Sequence, residues 1–411
     1  MEVKSFIRSF NLFFLFIIFL IISSTNSALY FSFPTAIALG DKNIFIIHQT
    51  GVTICDPKLT TIKKNVIDFA SNEQISESTL STISIAQFSN GYIVSTIINK
   101  VFIFDEKGNY KTNSSLTIGS IPYYSLAIHK VVSNSYYFLI GYIISNKLHL
   151  LYYQYNQNNN AITQLINDET YDSYYGTIEN KGLACVFLKN SYSQDIITCL
   201  YSVYYSYKYH QTVVYLYIES NSFYWKYDNA YFNGDSFDFM RASVTSDHYK
   251  ALFCGYSSDG TPRCIIYDLL YNIDYLNGYI YDRNCVKKNY GVKVNYHSEI
   301  EEFTFSCFLE GGGIQIATHN KDLTEAEDEF YRFTDCEYIK GYSVLFSSDK
   351  RDYFIFSDAN CNNINCPFKI LFYYQKEEEI EEEIEEEREE EKEEREEEKE
   401  EKEEEREEEK E

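Results

Sequence analysis

One tryptophan, two methionines and five prolines are all that the 411 residues hold of these types, and no Cys-x-x-C pair occurs among ten cysteines. No histidine stands at zinc spacing from a cysteine either, so sulfur-ligated metal is excluded as a class. The prolines (Pro34, Pro57, Pro122, Pro262, Pro367) are too dispersed for a proline-rich linker. They fall where strand edges and turns tolerate a missing amide donor. The body has no basic patch and only Arg241, Arg263, Arg283, Arg332 and Arg351, which argues against nucleic acid and against an arginine-lined sialidase-type pocket. No Gly-x-Ser-x-Gly elbow is present, and the seven histidines are scattered without motif context. Gly311-Gly312-Gly313 lacks the Lys-Ser/Thr pair and following helix of a phosphate loop and reads as a hairpin turn. Asp105–Asn109 lacks the alternating acids of a calcium loop and also reads as a turn. No cofactor or metal site is expected. After residue 27 no apolar run approaches the roughly 20 residues of a membrane span.

What is present begins with a weakly basic start (Lys4, Arg8) and an unbroken apolar run from Leu12 to Ile22. Small residues at Thr25 and Ser27 precede Ala28, so residues 1–27 read as a signal peptide and the mature chain is expected to begin at Ala28. A membrane enters only if that segment is retained as an anchor. The formal charge is −26, of which 26 Glu against 7 Lys/Arg in residues 377–411 supply −19. That Glu-rich low-complexity tail is expected to be helical or disordered, with coiled-coil-like spacing but no apolar seam. An oxidising compartment suits the ten cysteines, and a secreted or cell-surface location is expected.

Residues 28–376 show short alternating apolar runs divided by turn residues, the pattern of strands and hairpins. One short helical stretch is predicted, Leu323–Phe330. Units begin near Asn43, Ile85, Tyr123, Lys181, Phe239, Glu299 and Glu337, between 38 and 60 residues apart. Apolar strand, polar turn and second apolar strand recur at 85–108, 181–201, 248–268 and 339–357. This all-β chain therefore resembles a divergent β-propeller of about seven blades, at about 40 to 50 residues per blade plus insertions. It lacks the Trp-Asp ending of WD40 repeats, the paired glycines of kelch and the Ser-x-Asp-x-Gly box of sialidases. Two β-sandwiches split near residue 170 are the alternative.

Symmetry about turns predicts disulfides. Cys185 and Cys199 lie seven residues either side of Tyr192, and Cys254 and Cys264 lie five either side of Asp259. Residues equidistant from a hairpin turn face each other at a distance a disulfide accepts. Cys361–Cys366 is the third expected pair. Cys307 should find a distant partner, Cys285 or Cys336, because Ala317 is expected opposite it, while Cys55 is left for the ring closure. Asn113-Ser114-Ser115 is an N-glycosylation sequon in a polar turn. The aromatic stretch from Tyr201 to Phe232 reads as half-buried strands, with Tyr224, Trp225 and Tyr227 as a candidate ligand face. Phe, Tyr, Ile, Asn and Lys share A/T-rich codons, so the 40 tyrosines partly reflect mutational bias. A binding module for a protein or glycan is the expected function. The alternatives are a secreted glycan hydrolase or lyase and the ectodomain of a longer receptor-like protein.

Overall fold

The computed structural model describes strands between residues 34 and 374 and many of the turns joining them; residues 1–33, 375–411 and several longer connections lie outside the description. The strands form seven antiparallel meanders, each in chain order. Blade 1 is β1 (Pro34–Leu39), β2 (Ile44–His48), β3 (Gly51–Cys55) and β4 (Ile62–Asp68). Blade 2 is β5 (Ser84–Gln87), β6 (Ile93–Ile97), β7 (Lys100–Phe104) and β8 (Tyr110–Ser115). Blade 3 is β9 (Tyr124–Val132), β10 (Ser135–Ile144), β11 (Lys147–Asn156) and β12 (Ala161–Tyr171). Blade 4 is β13 (Thr177–Lys189), β14 (Asp195–Tyr205), β15 (Lys208–Glu219) and β16 (Ser222–Tyr231). Blade 5 is β17 (Asp238–Val244), β18 (Lys250–Tyr256), β19 (Pro262–Asp268) and β20 (Tyr279–Ile280). Blade 6 is β21 (Lys293–His297), β22 (Glu302–Phe308), β23 (Ile314–Asn320) and β24 (Ala326–Tyr331). Blade 7 has three described strands, β25 (Ile339–Phe346), β26 (Arg351–Asp358) and β27 (Phe368–Tyr374).

First strands touch one another in turn, β1 with β5, then β9, β13, β17, β21 and β25, and β25 returns to β1. The fold is therefore a β-propeller, with the first strand of each blade innermost and the fourth at the rim. Two separate sandwiches are ruled out by the closed ring. Turns between first and second strands lie at one end of the ring. Those between second and third strands lie at the other.

Blades are sandwiched between neighbours, so their strands bury both faces, and this explains long apolar runs such as Leu183–Leu188. Leu139, Tyr152, Leu183 and Val214 belong to the core between blades 3 and 4. Ala184, Val213, Met240 and Phe253 fill the next interface, between blades 4 and 5. Each fully buried side chain of this size contributes about 1.5–3 kcal/mol. The same geometry corrects the half-buried reading of β14: Tyr201, Ser202 and Val203 are all fully buried.

Turn chemistry sets the hairpins. Phe88–Tyr92, Asp105–Asn109 and Ser257–Thr261 share one hydrogen-bonded form, with Gly91, Gly108 and Gly260 in the left-handed region at φ 87°, 80° and 84°. Asp105 closes its turn by accepting from the amides of Lys107 and Asn109 and pairs with Lys111 at 2.9 Å, as suits a structural turn.

Two disulfides lie in the buried cores. Cys185–Cys199 joins directly opposed residues of β13 and β14, and Cys254–Cys264 joins opposed residues of β18 and β19, both at Cα–Cα 4.1 Å. Cys307 is also disulfide-bonded, and Gln315, not Ala317, faces it, because the connection from Phe308 to Ile314 is centred on Gly311. Cys361, Cys366, Cys285 and Cys336 lie outside the described residues.

Three further expectations are corrected. Ala326–Tyr331 is a strand paired with β23, since the sheet supplies partners that one acidic helical turn could not. Asn113 sits within rim strand β8, opposite Phe102, not in a turn. Blades 1 and 6 begin at Pro34 and Lys293, ahead of the expected Asn43 and Glu299: β21 (KVNYH) carries little apolar pattern, and β1 (PTAIAL) opens on a proline, which marks an edge more readily than the start of an inner strand.

Candidate functional site

Exposed large side chains gather on the hairpin between β14 and β15. Its two-residue turn is Ser206-Tyr207, both left-handed, at φ 50° and 65°. That turn type favours Asn-Gly, and a non-glycine residue held there costs about 1–2 kcal/mol. Tyr207 is 93% exposed at the tip and Tyr205 58%. Tyr204 is exposed as well, its ring 5.1 Å from that of Tyr209 across the hairpin. Lys181, on β13, places Nζ 3.8 Å from the Tyr209 ring centroid. On the other face Tyr205 lies opposite Lys208 and 6.5 Å from the ring of His210.

Two neighbours seat this hairpin. A Cβ on Gly176, which has φ +151°, would lie 2.6 Å from the Tyr204 carbonyl oxygen and 2.9 Å from Tyr205 Cβ. Only glycine lets the connection from blade 3 pass so close. Below the tip, Ser202 Oγ accepts from the Phe237 amide at 2.9 Å, locking the entry to blade 5.

The opposite end of the ring carries a polar network. His129 of β9 stacks on Phe187 of β13 at 4.2 Å. Its Nε2 lies 2.9 Å from Asp195 Oδ2, and its Nδ1 meets the Tyr152 hydroxyl. A neutral ring satisfies both contacts, with Nε2–H donating to Asp195 and Nδ1 accepting from Tyr152. His248 Nδ1–H donates to the Phe187 carbonyl, and the Lys189 amide donates to the His248 carbonyl, so blades 3, 4 and 5 are laced together. With both ring nitrogens engaged and its side chain only 5% exposed, His129 is built as a brace rather than as a general base.

Burial pulls the His129 pKa down, opposed by the hydrogen bond and charge of Asp195. Asp195 is lowered chiefly by its bond to His129. Both groups thus titrate below their unfolded values, and the sign is the same for each. Stability is full above the ordinary histidine pKa, falls as pH drops below about 6.5, and falls again below about 4. Melting temperature is expected to decline between about pH 7.5 and about pH 5.5, and to decline less in His129→Gln. Equal slopes for the two proteins would place the acid sensitivity elsewhere.

In blade 3, Asp168 accepts from the Tyr142 hydroxyl at 2.8 Å and from His149 Nδ1 at 3.0 Å. Among the described residues no group of three or more His, Cys, Asp or Glu could hold a metal ion. Nor is any helix there long and apolar enough to cross a membrane.

Of the residues singled out from sequence, Tyr224 is exposed on the rim strand β16, opposite Tyr217 and far along the blade from the Ser206-Tyr207 turn. The side chains of Trp225 and Tyr227 lie outside the described residues. Asn113 is exposed, and its Nδ2 donates to the Tyr110 hydroxyl. The tyrosine-tipped hairpin, with Tyr204 and Tyr205 on its two faces and Tyr207 at its tip, was not among the sequence candidates. Its signal was the two-residue gap between apolar runs, which places Tyr207 at a tip.

No family model matches the chain, and no curated protein matches it. Solved structures with a similar fold include the six-bladed β-propeller lectin of Aleuria aurantia, at 9% identity, 71% of this chain, 91% of that chain and TM-score 0.45. The BP39L lectin of Burkholderia pseudomallei is similar at 6% identity, 81% of this chain, 91% of that chain and TM-score 0.49. A protein from Lactobacillus plantarum is similar at 9% identity, 82% of this chain, 94% of that chain and TM-score 0.45. Likeness at this level says nothing of a ligand.

Proposed function

We propose that this protein is a secreted or cell-surface recognition module that binds glycan through the tyrosine-tipped hairpin of blade 4. The carrying observation is Tyr207, almost fully exposed and held at φ 65°. An aromatic ring gains nothing for folding in that position, and the left-handed backbone there disfavours it. Its use is therefore contact with something outside. Tyrosine rings with polar tips offer flat apolar faces to sugar C–H groups and hydroxyls to sugar oxygens. Disulfides in the cores and the signal-like first 27 residues support export, and the exposed sequon at Asn113 fits a glycosylated rim.

A glycan array probed with the full chain tests the reading. Tyr205→Ala/Tyr207→Ala is expected to weaken any binding at least about tenfold while leaving the melting temperature within a few degrees. Tyr207→Gly separates the two roles, since it should stabilise the fold by about 1 kcal/mol through relief of the left-handed strain and still lose affinity. Affinity unchanged in both variants would place recognition elsewhere.

A further inference from the structure

From Ile196 to Ile218 no Asp or Glu occurs, so the charges that the hairpin itself carries are cationic. The ionisable groups around the tyrosines are Lys181, Lys208 and His210. Lys147, at the same end of blade 3, is neutralised by Asp172 at 3.0 Å. Among the described residues no carboxylate lies within ion-pair distance of Lys181 or Lys208. Glu179, two residues before Lys181, is included in that statement.

Resting on the reading that this hairpin is the binding surface, we infer that its ligand is an anionic carbohydrate, one bearing carboxylate or sulfate groups. Ammonium groups donate and cannot accept, while phenols do either. A neutral sugar presents hydroxyls that need strong acceptors as well as donors, and the hairpin from Ile196 to Ile218 contains no carboxylate, its one carboxamide, Gln211, being fully buried. An anionic sugar presents acceptor-only groups that the lysines match, with its ring faces left for Tyr207 at the tip and for the tyrosine beside each lysine, Tyr204 on the Lys181 face and Tyr205 on the Lys208 face. Lys181 lies over the Tyr209 ring, which is tilted against that of Tyr204, and this fixes a cation at the edge of the Tyr204 side of the hairpin.

The test measures binding of the full chain to a hyaluronan tetrasaccharide, a heparin-derived tetrasaccharide and neutral chitotetraose. The first carries carboxylate alone and the second adds sulfate, so their ranking identifies the anionic group. At least one should bind about tenfold or more tighter than the neutral sugar and weaken as salt rises from about 0.05 to about 0.3 M. Lys181→Gln/Lys208→Gln should remove that preference at an unchanged melting temperature, and Lys181→Arg/Lys208→Arg should keep most of it. Equal binding of charged and neutral sugars, still abolished by Tyr205→Ala/Tyr207→Ala, would overturn the anionic inference and leave the hairpin as the site. Binding that no tyrosine variant alters would overturn the site itself. A synthetic peptide of residues 377–411 serves as competitor. If it binds through the lysines and no sugar does, the occupant is the chain's own acidic segment and the carbohydrate inference fails.

Discussion

Replacing Cys185 and Cys199 together by alanine is expected to lower stability by about 3 kcal/mol, the chain-entropy effect for a loop of this length. The bond spans 14 residues and is buried in the core between blades 3 and 4. Urea denaturation should show a lower midpoint and a somewhat steeper slope, because the unfolded chain freed of the cross-link exposes more surface. Removing Cys254–Cys264 as well, a span of 10 residues, should bring the total to about 5–6 kcal/mol, which reaches the net stability of many folded domains. An unmoved midpoint in the first variant would show that the bond adds nothing to the stability of the fold. A coupled substitution sharpens the test. A Cβ on Gly141 would lie 3.0 Å from Cys185 Sγ and 3.2 Å from Leu183 Cδ2. Gly141→Ala should therefore cost about 1–3 kcal/mol in the parent and less where the sulfur is gone.

Gly182→Ala is the second substitution with a large expected effect. Its Cβ would lie 2.6 Å from the Phe237 carbonyl oxygen, a backbone atom that cannot turn aside. Phe237 is itself fixed, its amide held by Ser202 Oγ and its side chain buried with Met240 and Phe253. Inner strand β13 and the entry to blade 5 would have to part, at a cost of about 3 kcal/mol or more. Denaturation of the purified variant measures this directly. A loss below about 1 kcal/mol would mean that the entry to blade 5 moves freely. Since that entry rests on Ser202, below the tyrosine hairpin, Gly182→Ala is expected to weaken ligand binding along with stability.

Much of the architecture can be read from residue order. Alternating apolar runs with Gly91, Gly108 and Gly260 at fixed turn positions determine antiparallel hairpins, because local backbone chemistry settles them. Those hairpins place Cys185 opposite Cys199 and Cys254 opposite Cys264, since register follows from the turn. Strand Ala326–Tyr331 shows where local preference fails: its sequence suits a helical turn, and pairing with β23 overrides it. Which face of a strand meets solvent is likewise not local. Tyr201 and Tyr207 stand six residues apart in one aromatic stretch, yet one is fully buried and the other almost fully exposed. Composition and alternation treat them alike. Blade-on-blade packing covers both faces of β14 and releases only the hairpin tip, so the tyrosine surface, its lysines and the brace at His129 exist only once neighbouring blades are in place. The sequence by itself determined the strands, the turns and the cross-strand cysteines, because these depend on residues a few positions apart. The closed ring and the candidate site were decided by tertiary structure, which brings together side chains from strands that no spacing rule connects.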